Sequence, residues 1–261
     1  MTLVSVIIPT FQRPQRLWSA LASVAMQTYS EIEVIVVNNG GVSVESIVER
    51  YRQTFPQPIQ LVTLTEPVRV GAARNRAIAT AQGDLIALLD DDDLYRPIHL
   101  EQVIKALKQQ PEAALAYDDA LILIDHTAHV NDEPHIVATC RLGLAYEKER
   151  FEQDDYILPS SIVMRRAAFA AVGGFDEMMD ICEDWDFLLK LRTQGMLLYV
   201  PGEIGIEYSM RVLANDNMGS TFDNRRYAAL AMLETRYHLP HLIPKTFYDV
   251  ARDLGWEVIP T

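Results

Sequence analysis

Between residues 4 and 89, four short apolar runs alternate with stretches of helical period, and that alternation limits the folds open to the chain. Val4 to Ile8 is β-branched and apolar, and Pro14 to Met26 carries Leu17, Leu21 and Val24 on one helical face, with Pro14 in the first turn. Glu33 to Val37 reads as a second strand, ended by Asn38-Asn39-Gly40-Gly41, and Val44 to Tyr51 as a helix. Ile59 to Leu64 is a third strand, Val70 to Ala81 an Ala-rich helix closed by Gly83 as a C′ glycine, and Leu85 to Leu89 a fourth strand. Repeated β-α-β units of this length imply an α/β fold with a mostly parallel sheet and right-handed crossovers.

The fourth strand runs directly into Asp90-Asp91-Asp92-Asp93. Ligands of open α/β sheets bind beyond the carboxyl ends of the strands. Side chains alternate along extended chain, so Asp90 and Asp92 are expected on one side and Asp91 and Asp93 on the other. Neighbouring carboxylates raise each other's pKa unless a positive charge intervenes. Oxygen-only ligands suit Mg²⁺ or Mn²⁺, and Mg²⁺ commonly completes its shell with substrate phosphates. The plainer alternative is a solvated acidic turn that caps the next helix.

After Pro97 the pattern changes. His99 to Lys108 reads as a helix, Ala113 to Tyr117 and Leu121 to Ile124 as two short strands, and Asp125 to Asp155 as polar and weakly periodic. Ser160 to Met164 reads as a strand, and Arg166 to Val172 as a short helix stopped by Gly173-Gly174. Trp185 to Thr193 reads as a helix, Leu197 to Val200 and Ile204 to Tyr208 as strands, and Thr221 to Tyr237 and Lys245 to Leu254 as terminal helices. The plan is a nucleotide-binding half over 1–98, a mixed half of the same domain over 99–215, and a C-terminal helical segment over 216–261. Phe247, Val250 and Leu254 share one face of the last helix, suited to packing on the core.

Net charge is −13, from 36 acidic and 23 basic residues, which argues against a nucleic-acid partner. No run has transmembrane length, and the N-terminus reads as a first strand, not a signal peptide. Cys140 and Cys182 have no metal or redox spacing and read as ordinary cytoplasmic thiols. His126, His129 and His135 read as loop residues. The expected location is cytoplasmic, at most peripheral to the inner face of the membrane.

Five segments coincide in order and spacing. They are Pro9-Thr10-Phe11-Gln12-Arg13-Pro14, Gly71-Ala72-Ala73-Arg74-Asn75-Arg76-Ala77, the acidic block through Pro97, Gly173-Gly174-Phe175-Asp176-Glu177, and Glu183-Asp184-Trp185-Asp186-Phe187. In that arrangement the chain, from about Leu3 to Tyr208, resembles the family-2 inverting glycosyltransferases of the GT-A fold. The resemblance implies a Rossmann-like central sheet flanked by helices, with a mixed acceptor-side half. It implies that Pro9, Thr10, Phe11 and Arg13 hold the nucleotide, with Asn38 and Asn39 where relatives often carry two acids. It also implies that Arg74 braces nucleotide and acidic loop, that Asp90 and Asp91 belong to the nucleotide site, and that Asp92 binds the metal, Mn²⁺ or Mg²⁺. Asp184 matches the catalytic base, and Glu183 and Trp185 the acceptor side. The substrates implied are a nucleotide-diphosphate sugar, UDP-linked by preference, and a saccharide or lipid-linked acceptor.

Each residue alone has a plainer reading: Thr10-Phe11 as a turn, Arg74 as a surface cation, and Glu183 and Asp184 as helix-capping acids. Their joint occurrence favours the site. The chemistry is consistent, because diphosphate departure needs neutralising charge and the acceptor hydroxyl needs a base, worth about 10²–10⁴-fold. One base without a covalent nucleophile implies inversion. Two departures stand out: Asn38-Asn39 replaces the acids, and the histidine that many relatives carry beyond the last core strand is missing, with Arg211 nearby. A dinucleotide-binding dehydrogenase would need a Gly-rich turn after the first strand, and none exists. A phosphoryl-accepting regulator would need its acids after the first strand, and a nucleotidyltransferase a Gly-rich basic loop there. A non-catalytic homologue that binds nucleotide or saccharide is the remaining rival.

Overall fold

The computed structural model describes residues 2–127, 133–211 and 224–261. The element order is β1 (Val4–Thr10), α1 (Pro14–Ala25), β2 (Ile32–Asn38), α2 (Glu45–Thr54), β3 (Ile59–Thr63), α3 (Val70–Ile78), β4 (Leu85–Leu88), β5 (Leu94–Tyr95) and α4 (His99–Gln109). There follow β6 (Ala113–Asp125), β7 (Ile136–Leu142), α5 (Lys148–Phe151), a 3₁₀ turn at Pro159–Ser161, β8 (Ile162–Arg165) and α6 (Arg166–Ala171). The last elements are α7 (Glu183–Leu191), β9 (Met196–Arg211), α8 (Asn224–Tyr237), α9 (Phe247–Asp253) and β10 (Val258–Pro260).

One sheet runs in the order β10-β7-β6-β8-β4-β1-β2-β3, with β9 beside β6 and β5. The expected parallel core is present: β1 pairs parallel with β2 and β4, and β2 with β3. β8 then enters antiparallel to β4 and β6, so beyond the first half the sheet is mixed. All seven residues of β1 are buried, as are all four of β4, which is why both read as continuous apolar runs. Thr10 stands opposite Asn38 and Ile7 opposite Leu88. The carboxyl ends of three parallel strands therefore meet at one edge, and the acidic block emerges there.

Several expected boundaries change. Ala113 to Tyr117 and Leu121 to Ile124 are one thirteen-residue strand, β6. The intervening Asp118 and Asp119 are buried instead of breaking the strand. Asp118 binds His99 and Gln102, and Asp119 binds Arg141 and Tyr199. Leu197 to Val200 and Ile204 to Tyr208 likewise join in β9, which passes through Pro201-Gly202 with register shifts against β6. The polar stretch from Asp125 to Asp155 contains β7 and α5, because Ile136 to Leu142 adds to the edge of β6. His126 and His135 are exposed loop residues there, while His129 lies outside the described residues.

Gly83 does not cap α3, which ends at Ile78 with Ala79 as its C-cap. Its role is close approach: a Cβ there would lie 2.7–2.8 Å from Ser5 Oγ and from the main chain of Leu3 and Ser5. Gly173 and Gly174 do stop α6, at φ of 75° and 76°. The first described residue of α8 is Asn224, and α9 spans Phe247–Asp253 where Lys245 to Leu254 was expected. Leu254 packs against the core. Among the described residues no helix is long and apolar enough to cross a membrane.

Candidate active site

Beyond the strand ends lies a pocket of about 440 Å³, within the range of small-molecule sites. Its wall includes Pro9, Thr10, Phe11, Arg13, Asn39, Arg74, Asp90, Asp91, Asp92, Glu183, Asp184 and Trp185. Every residue expected at the site lines it except Asn38. That side chain is buried behind the wall, where its amide donates to Val42 O at 3.0 Å. Asn39 reaches the wall, but its amide pairs with the Val68 main chain, donating to O at 2.7 Å and accepting from N–H at 2.9 Å. Both amides thus fasten the loop after β2, which explains why amides stand where acids were expected.

The four aspartates form a turn, Asp93 N–H donating to Asp90 O at 3.1 Å, not extended chain. The alternation of burial survives: Asp91 and Asp93 are buried, and Asp90 and Asp92 are partly exposed. Thr10 Oγ1 donates to Asp91 at 2.7 Å, and Arg13 reaches both Asp91 at 3.1 Å and Asp92 at 2.8 Å. Burial and the Asp92 charge push Asp91 up to about 7, against Arg13 and Thr10. Asp93 faces inward, where Ser160 Oγ donates to it at 2.5 Å and Ser209 N–H at 2.9 Å. Burial and its acidic neighbours hold Asp93 well above the usual carboxylate range. Ser160 Oγ also accepts from Asp90 N–H at 3.1 Å, so one hydroxyl ties both ends of the turn.

Arg74, on α3, is buried and joins two walls. It donates to Asp90 at 2.7 Å and to Glu183 at 2.9 Å, with its guanidinium 5.5 Å from the Phe175 ring centre. Burial opposes its charge, yet Asp90 and Glu183 hold its pKa above the ordinary value. Cys182, at φ 58°, turns the chain into α7 so that Glu183, Asp184 and Asp186 occupy its first turn. Acids are favoured there by the helix dipole, but none caps the helix by a side-chain bond. Asp184 Oδ1 instead accepts from the next residue's N–H at 2.8 Å. Burial raises the Asp184 pKa, with Arg74 opposing. Burial and the Asp184 charge push Glu183 up to about 7, again against Arg74. Trp185 packs inward, donating Nε1–H to Phe151 O at 3.0 Å. Burial pushes the Cys182 thiol up to about 12, which leaves it unreactive at neutral pH.

The pocket also takes in residues not anticipated as site residues: Asp154, Asp155, Tyr208, Arg226, Lys245 and Trp256. No motif marks them: Asp154 and Asp155 come from a loop, Tyr208 from β9, and Arg226, Lys245 and Trp256 from the C-terminal segment, which periodicity reads only as secondary structure. Arg211, noted from sequence only as a nearby charge, is buried and stands 3.5 Å from Asp92.

A sequence profile described as "Glycosyl transferase family 2" matches residues 5–170. The chain belongs to glycosyl transferase family 2. It is 28% identical over 244 residues to the uncharacterized glycosyltransferase YwdF of Bacillus subtilis, covering 94% of this chain and 87% of that one. It is 29% identical over 195 residues to an uncharacterized glycosyltransferase of Haemophilus influenzae, covering 72% and 62% respectively. Two solved structures superpose with a TM-score of 0.65. One is TarS 1-349 of S. aureus in complex with UDP-GlcNAc, at 18% identity over 89% of this chain and 66% of that one. The other is mannosyltransferase PcManGT from Pyrobaculum calidifontis in complex with GDP-Man and Mn²⁺, at 20% identity over 92% and 66%. These likenesses show the GT-A fold. The chain spans about two thirds of the length of each of these solved chains.

Proposed function

We propose that this glycosyltransferase moves a sugar from a nucleoside-diphosphate sugar to a saccharide or lipid-linked acceptor, with inversion and with Asp184 as general base. The observation that carries the reading is the Arg74 bridge, which sets the acidic turn and the Glu183-Asp184 pair on one pocket. Residues up to 98 supply most of the donor side, residues 99–215 the base and the acceptor-side floor, and the C-terminal helices the far wall.

The donor set is compatible with a divalent ion. Asp90 and Asp92 offer hard carboxylate oxygens at the pocket wall. Among the described residues no three potential ligand side chains converge, so the donor's phosphates would supply much of the shell, as suits Mg²⁺ and resembles Mn²⁺ chemistry. Asp92 would hold the ion, which when bound would neutralise the departing diphosphate as a Lewis acid. Arg13 and Arg211, both on Asp92, would bring fixed positive charge to the same diphosphate. Asp184 would take the proton of the attacking hydroxyl, and its burial, which raises its pKa, makes it a stronger base than an exposed aspartate. A UDP-sugar remains the preferred donor, although the amides of Asn38 and Asn39 are engaged by their own loop. TarS binds UDP-GlcNAc and PcManGT binds GDP-Man, which makes uridine and guanosine nucleotides the first two to compare.

Calorimetric binding of UDP, GDP, CDP and dTDP, each with Mn²⁺ and with EDTA, tests the reading. Metal-dependent binding of one nucleotide is expected. No binding of any, by folded protein, overturns it.

A further inference from the structure

Asp155 is an acidic pocket residue that the proposed reaction leaves without a task. It lies in the loop between α5 and the 3₁₀ turn and lines the same pocket as Glu183 and Asp184. The Ile157 main chain favours the ionised form of its carboxyl, against the burial. Oδ1 is shielded from solvent and has no hydrogen-bond partner. Buried carboxyl oxygens are rarely left so, and each such case calls for an explanation. Burial and the charges of Asp184 and Glu183 hold its pKa well up, with Arg226 of α8 opposing, which places Asp155 within the electrostatic reach of the proposed base.

The surroundings narrow the ligand. Leu242, Val250 and Trp256 line the pocket from the C-terminal segment. An apolar wall facing polar oxygens suits a sugar ring, whose faces are carbon and whose rim is hydroxyl. A carboxyl group can bond a hydroxyl in either state, accepting when ionised and donating when protonated. We propose that Asp155 is an acceptor-positioning residue: its Oδ1 hydrogen-bonds a second, non-reacting hydroxyl of the acceptor while Asp184 faces the reacting one, so the acceptor terminus is a saccharide with neighbouring hydroxyls. The proposal rests on the glycosyl-transfer reading above.

The test uses the full chain with UDP and Mg²⁺. Saturation-transfer NMR measures binding of the methyl glycosides of glucose, galactose, mannose and N-acetylglucosamine, with n-butanol as the single-hydroxyl probe. Wild type binds at least one glycoside more tightly than n-butanol. Asp155→Ala weakens that glycoside by about tenfold or more, the scale of a hydrogen bond to a buried carboxyl, and leaves UDP affinity unchanged. Asp155→Asn, which keeps a hydrogen-bonding group in the same volume, recovers most of the loss. A purely structural Asp155 would shift the melting temperature and UDP affinity together and spare no probe. The proposal is overturned if Asp155→Ala binds glycosides as wild type does. It is also overturned if UDP binds but no glycoside does, or if Asp155→Ala weakens UDP and glycoside together. Failure of the donor reading shows separately, as absence of UDP binding by the wild type.

Discussion

Arg74 and Glu183, separated by 109 residues in sequence, meet in a 2.9 Å ion pair that is almost wholly shielded from solvent. The same guanidinium holds Asp90 at 2.7 Å, so the acidic turn and the start of α7 share one cation. Removing it leaves two carboxylates facing each other without compensation. Arg74→Met should destabilise the fold by about 3–5 kcal/mol, the cost of breaking a buried pair. Urea denaturation checks this, and a loss under 1 kcal/mol or so, within the range of exposed pairs, would mean that the pair is effectively solvated.

Asp184→Asn should keep nucleotide affinity and lower turnover about 10²–10⁴-fold. In the wild type, kcat/KM should fall as pH drops through the Asp184 pKa, because the base must be ionised. Its raised value puts that acid limb above the ordinary aspartate range. A pH–rate profile flat down to pH 4, roughly the unperturbed aspartate value, would move the base elsewhere.

Glu183 gives a stability prediction of definite sign. Its pKa is pushed up from 4.5 to about 7 in the folded state. Between those values the native protein binds more protons than the unfolded chain, so stability falls as pH rises through the window. Asp91, also raised to about 7, acts in the same direction. Melting temperatures taken from pH 5 to pH 7.5 should decline more steeply in wild type than in Glu183→Gln. Parallel slopes would show that Glu183 titrates normally.

Ser160→Ala removes the hydroxyl that donates to Asp93 and accepts from Asp90 N–H. The buried Asp93 then loses a partner, at about 1–3 kcal/mol. Because the turn carries Asp92, metal-dependent UDP affinity should fall along with stability. Calorimetry and thermal melting on one sample separate the two effects, and unchanged UDP affinity would mean that the turn holds its shape without Ser160.

Arg211→Met should weaken UDP more than uridine, since its proposed contact is with phosphate. Equal losses for both ligands would assign Arg211 to supporting Asp92 alone.

The first half of the fold was legible because its strands are buried on both faces and read as unbroken apolar runs. Thr10, Arg74, Asp92 and Asp184 are placeable on the pocket wall from sequence because Thr10 ends β1, Arg74 sits within α3, Asp92 follows β4 and Asp184 lies in the first turn of α7, in segments with family spacing. In sequence β6 reads as two strands because Asp118 and Asp119 interrupt its apolar run, whereas in the fold both are buried and bonded. Asn38 was placed in the pocket because adjacent residues in a loop give no sign of which one turns inward. Asp155 had no signal at all, since its neighbourhood to Asp184 is created by folding.

The far wall of the pocket has a different origin from the near one. The side proposed to hold the donor is assembled from the ends of β1, β2 and β4, from α3 and from the end of β9. A further part of the wall comes from a single stretch, residues 224–261. It is moored through Arg236 to Asp176 and Asp186, through Lys245 to Asp154, and through β10 along β7. Such a wall can be exchanged as a cassette. A chimera that takes this stretch from a relative and keeps those moorings could change what is glycosylated while the donor machinery stays intact, a route by which one ancestral transferase could diversify its products without rebuilding its chemistry.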